Sequence, residues 1–131
     1  IFEDLGFFKE GRHWVHEATG VPVEIPESRL KGDLSRVHRE PMGPGTVALI
    51  SAEDLYLDRI RQSTISPKDD SLQTFNSAVA IAAANLREMD WAYVDRAIQS
   101  EDEAPPRLMK SIDSRVRARV RRRLSRPRGK L

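Results

Sequence analysis

Cysteine is absent from the 131 residues of the chain. That excludes disulfides, thiolate metal centres and cysteine nucleophiles, and it fits a reducing, cytoplasmic compartment. Long apolar runs are missing too: the longest, Ala78 to Ala84, is far too short to cross a bilayer. No stretch resembles a signal peptide, so no membrane partner is expected. There is no Gly-x-Ser-x-Gly, no P-loop and no Gly-x-Gly-x-x-Gly, which removes the usual support for a hydrolase, a nucleoside triphosphatase or a dinucleotide enzyme. Internal repeats are not visible. What remains is a chain of single-domain length, 39% apolar, enough for one core and little more.

Charge is distributed unevenly. From Pro105 onward eleven basic residues face the single acid Asp113, a net charge of +10, which leaves the preceding residues at −8. The expected organisation is therefore an acidic body over residues 1–104 and a basic helical tail over residues 105–131.

Within the body, Val47 to Ile50 is a continuous apolar run between Gly45 and Ser51, as in a strand covered on both faces. It is expected to be central, so an acid at Leu49 should unfold the protein. Ser51 and Asp54 have capping-box spacing and start a helix, with Tyr56, Leu57 and Ile60 on its packed side and Asp54, Asp58 and Arg61 on its wet side. Gly6 closes a short helical turn, and Phe7 and Phe8 begin a strand. His13 to His16 and Val21 to Ile25 alternate as a hairpin closed by Pro26, with a further short strand over Arg36 to Glu40. Glu27 to Ser35 reads as a surface loop. Helical patterns follow at Leu72 to Leu86, which is rich in alanine, and at Trp91 to Ser100, which Asp90 caps. The fold class is thus α+β, a small and mainly antiparallel sheet covered by helices, with a basic C-terminal helix.

Few residues carry chemistry on their own. His13, His16 and Glu17 suggest a metal, but residues three apart on a strand point to opposite faces, which defeats chelation. Asp69 and Asp70 precede a helix, where capping alone favours carboxylates. Glu24 stands opposite Val23 and Ile25 in a β-branched strand, either as a solvated position or as a functional one. In the tail, Leu108, Ile112, Val116, Val120 and Leu124 form a thin stripe every four residues. Arg115, Arg117, Arg119, Arg121, Arg122 and Arg123 surround that stripe and could neutralise phosphates of a nucleic acid. The same tail could dock on an acidic protein surface, either its own body or a neighbouring chain in a homo-oligomer. It has no aromatic residue for stacking on bases. Deleting Arg107 to Leu131 is expected to leave the body folded.

Leu5-Gly6-Phe7, Gly11-Arg12-His13-Trp14, Val23-Glu24-Ile25-Pro26, Ile50-Ser51-Ala52-Glu53-Asp54-Leu55 and Asp90-Trp91 follow one another in an order that resembles the later part of minimal nucleotidyltransferase-like proteins of the polymerase-β-type fold, the kind found in abortive-infection toxins. The resemblance spans about Leu5 to Ser100. It implies metal-dependent nucleotide transfer in a complete parent, with Mg and a nucleoside triphosphate as cofactor and substrate and Glu24 as the third metal-ligating, catalytic carboxylate. The Gly-Ser pair and the Asp-x-Asp strand that such transfer requires do not occur in these residues. A preceding segment carrying them is therefore expected, and this chain alone is expected to be inert. The alternative is a noncatalytic module that binds nucleic acid or a partner chain through its Arg-rich helix.

Overall fold

The computed structural model describes backbone and side chains for residues 2–24, 31–65 and 72–125, and the backbone also for 68–71. The expected loop positions Glu27 to Leu30, Pro26 and the last bases Arg126, Arg128 and Lys130 lie outside those residues, whereas Asp69 and Asp70, expected ahead of a helix, fall within the first turn of one that spans Lys68–Ala84. The chain divides into two compact units, residues 1–30 and 31–131.

The first unit is a three-stranded antiparallel meander of β1 (Phe7–Glu10), β2 (His13–His16) and β3 (Pro22–Glu24), in the order β1-β2-β3. Gly6 closes the preceding 3-10 turn at φ 81°, and its N–H donates to the Glu3 carbonyl, the left-handed cap expected there. Phe2 then lies over the sheet, stacked on Trp14 with ring centroids 5.1 Å apart and edge-on to Phe7 at 5.6 Å. Phe7 and Trp14 share a face because Phe7 pairs with His16, two residues beyond Trp14. A private aromatic cluster of this kind lets so short a segment form a unit of its own.

In the second unit a hairpin of β4 (His38–Met42) and β5 (Gly45–Leu49) precedes four helices: α1 (Ala52–Ile65), α2 (Lys68–Ala84), α3 (Trp91–Gln99) and α4 (Pro106–Ser125). With helices and two small antiparallel sheets, the protein is α+β. The expected central place of Val47 to Ile50 is not what forms. Among the described residues strand β5 pairs only with β4, every residue of β4 is exposed, and in β5 only Val47 is half-buried. Leu49 is 47% exposed. The partner strand His38-Arg39-Glu40-Pro41-Met42 offers no apolar face to join a core, so an apolar run alone did not secure burial.

The core belongs to the helices. Tyr56, Leu57 and Ile60 of α1 meet Ala78, Val79 and Ala82 of α2, Val94 and Ile98 of α3, and Met109, Val116 and Val120 of α4. Ala78 and Ala82, one turn apart and fully buried, let α1 approach α2 closely. The basic helix is thus a wall of this core, and its buried row is Met109, Asp113, Val116 and Val120. Of the stripe expected every four residues, Leu108 and Leu124 are exposed. A straight helix advances 3.6 residues per turn, so strict fours drift off the contact line, whereas steps of four, three and four stay on it.

Candidate functional site

Two polar networks join the helices, and they sort the charged residues into those already engaged and those left over. The first secures the start of α1. Ser51 accepts the Asp54 N–H at 3.1 Å and donates its hydroxyl to Asp54 Oδ2 at 2.9 Å, as the capping spacing implied. Asp54 also accepts from the Tyr93 hydroxyl at 2.6 Å and from the Asp33 N–H at 3.2 Å. Glu53 accepts the Asp90 N–H at 2.7 Å and pairs with Arg36, whose guanidinium lies 4.2 Å from the Tyr93 ring centre. Glu53 and Asp54 are 7% and 5% exposed, so the side of α1 read as wet is covered at its N-terminal end.

The pKa directions follow from these contacts. Burial opposes ionisation of Glu53, but the Asp90 N–H and Arg36 hold its carboxyl below the usual range. Burial, reinforced by the hydrogen bond to Asp54, pushes the Tyr93 hydroxyl up to about 12. Beside this network is a cleft of about 320 Å³ lined by Asp54, Arg61, Tyr93 and Glu101 among others. Its two cations are both paired: Arg61 donates twice to Glu101 Oε2, at 2.9 and 2.6 Å, and Lys31 pairs with Glu103. The cleft is a structural seam.

The second network fastens α4. Tyr56, fully buried, donates to Asp113 Oδ1 at 2.7 Å, and Arg117 donates to the same oxygen at 2.9 Å and to Asp95 at 2.6 Å. The Arg117 guanidinium lies 4.4 Å from the Trp91 ring centre, and that ring meets Tyr56 edge-on. Burial and Asp113 together raise the pKa of the Tyr56 hydroxyl far above its ordinary value. Asp113, the only acid of the tail, is there to receive these two donors.

The six arginines expected to act together are therefore divided. Arg117 is spent on Asp113 and Asp95, and Arg121 donates to the Arg117 carbonyl at 3.4 Å beside the α3–α4 seam. Arg115 leans on the Phe75 ring at 5.1 Å. Arg119, Arg122 and Arg123 line a groove of about 860 Å³ against α2, together with Asn76, Val79 and Ser125. No acid lines that groove, and none of these three arginines has an ion pair or hydrogen bond as side-chain donor among the described residues. No family model, curated protein or solved structure matches this chain.

Glu24 lies on β3 of the other unit, across from His13 in register. Its half-exposed carboxylate is 3.5 Å from Arg12 and 3.8 Å from His13. Among the described residues no three His, Asp or Glu side chains gather to hold a metal. A lone carboxylate between a guanidinium and an imidazole does not fit the paired metal ions of nucleotide transfer, and no step is derived through them. Sequence reasoning missed Arg36, Tyr93 and Asp113 as partners, since 57 and 39 positions separate Tyr56 from Asp113 and Asp54 from Tyr93. The one available signal was Asp113 itself, an isolated acid among eleven bases.

No helix of the described residues is long and apolar enough to cross a membrane.

Proposed function

We propose that the helical unit is a noncatalytic module that binds nucleic acid through phosphate contacts on its α2–α4 face. The observation that carries this is the groove lined by Arg119, Arg122 and Arg123, which has no acid among its described lining residues. With no counter-ion among the described residues these arginines are open to an anionic ligand, and guanidinium groups match phosphate oxygens two at a time. The charge of α4 serves two purposes on two faces: Arg117 holds the helix to the core, and the groove arginines look outward. Docking of the helix on its own chain and binding of a polyanion are compatible for that reason. Nucleotide transfer, which the resemblance implies for a complete parent, has only Glu24 in this chain and no geometric support.

The test is fluorescence anisotropy of a labelled 20-nucleotide strand titrated with the protein from 50 to 200 mM salt. Affinity should fall steeply with salt, and changing Arg119, Arg122 and Arg123 to Gln should reduce the log–log slope by about two. An unchanged slope in the folded triple variant, or no retention of any nucleic acid at 50 mM salt, overturns the proposal. Association of the protein into a defined oligomer that buries this face would overturn it in favour of a self-associating module.

A further inference from the structure

We propose that the ligand of this face is a single-stranded polynucleotide, its phosphates along Arg119, Arg122 and Arg123 and one base received in the neighbouring depression at Phe75 and Arg115. This rests on the phosphate-binding function above and adds the strand type and a base site. Arg115, Arg119 and Arg122 recur at i, i+4 and i+7, so they form one row on the side of α4 that faces α2. The groove and a second depression of about 390 Å³ share Asn76 and Arg119, which makes them adjoining parts of one surface.

The second depression differs in chemistry. Phe75, Leu72 and Ile112 give it apolar walls, and Arg115 stands over the Phe75 ring. A guanidinium held against an aromatic ring is ordered in advance and presents its other side for stacking on a base. The tail has no aromatic residue, but α2 supplies one beside its arginines. Asn76, at the junction, is exposed, and its carboxamide bonds to no described residue. It can donate and accept toward the edge of an unpaired base. In a duplex the bases are stacked and paired, and the phosphates lie on a convex cylinder that cannot enter a concavity between two helices. A single strand offers both a thin backbone and a free base.

The experiment compares labelled dT20 and rU20, a 20-base-pair duplex, inorganic polyphosphate and poly-glutamate on the intact chain, with Asn76→Ala and Phe75→Leu as variants. The single strands should bind at least tenfold more tightly than the duplex. Both variants should weaken dT20 several-fold to tenfold and leave polyphosphate binding and the salt slope unchanged. Asn76 is exposed, so its variant remains informative if Phe75→Leu fails to fold. Equal binding of duplex and single strand, or variants without effect on dT20, overturns the base site and leaves the phosphate-binding function standing. Failure of every nucleic acid to bind overturns both. Poly-glutamate bound as tightly as dT20 overturns the inference in favour of an acidic protein partner.

Discussion

Replacing Asp113 by Ala removes the acceptor that two donors share within the helical core. The Tyr56 hydroxyl, 2.7 Å from Asp113 Oδ1 on a fully buried side chain, would be left without a partner. An unsatisfied buried donor costs about 1–3 kcal/mol. Arg117, whose side chain is 24% exposed, keeps its pair with Asp95, so its loss is smaller than that of a fully buried cation. The expected destabilisation is about 2–4 kcal/mol, or roughly 10 °C or more in Tm for a domain of this size. Tyr56→Phe removes the donor instead and leaves Asp113 paired with Arg117, so it should cost less, about 1.5–3 kcal/mol for a bond to a charged acceptor. The double variant should cost less than the two singles together, because the Tyr56 penalty in Asp113→Ala vanishes with the hydroxyl. All four α-helices of the described residues lie in residues 31–131, so urea unfolding followed by circular dichroism at 222 nm reports this unit. Additive single effects, or an Asp113→Ala variant within 0.5 kcal/mol of the parent, would refute the account of how α4 is fastened.

Four further outcomes are expected. Ending the chain after Ala104 should abolish cooperative helical unfolding, because Met109, Val116 and Val120 are fully or almost fully buried and each contributes about 1.5–3 kcal/mol; a truncated protein with a sharp melt would contradict this. Gly32→Ala should lower stability by about 1–3 kcal/mol, since Gly32 sits at φ 136° and an added Cβ would meet the Asp54 carboxylate at 2.5 Å; an unchanged Tm would exclude that close approach. Leu49→Asp should stay within about 0.5 kcal/mol of the parent, as its strand is exposed, and unfolding would restore β5 to a core. Stability should drop at both pH extremes: the carboxyls of Glu53 and Asp90 are held below their ordinary values, so their contribution is present above those values and is lost as pH falls through the lowered ones. Tyr93, raised to about 12, contributes fully below pH about 10 and loses that contribution as pH rises to 12, so Tyr93→Phe should flatten the alkaline limb of the urea midpoint and an unaltered limb would count against the hydrogen bond to Asp54.

Local features of this protein were legible from its residues. Asp90 caps α3 and accepts the Tyr93 N–H at 2.9 Å, Ser51 and Asp54 open α1, Gly6 takes the left-handed conformation, and β2 and β3 pair as alternation implied. Each of these depends on residues within a few positions of one another, where propensity, capping and period act directly. The basic surplus of the tail was equally plain, since charge is a sum over composition.

Burial and partnership were decided by the tertiary structure. An apolar strand is central only if its neighbours bring apolar faces, and β4 brought none to Val47 and Leu49. A basic helix is a free tail only if the body completes its core without it; here the space beside Tyr56 and Val94 is filled by Met109, Val116 and Val120. Which arginines are engaged was decided by contacts that no spacing encodes, Arg117 with Asp95 and Arg115 with Phe75, whereas Arg119, Arg122 and Arg123 have no side-chain partner among the described residues. Pairings across tens of residues depend on how helices pack, and packing depends on the shapes of all the side chains at once.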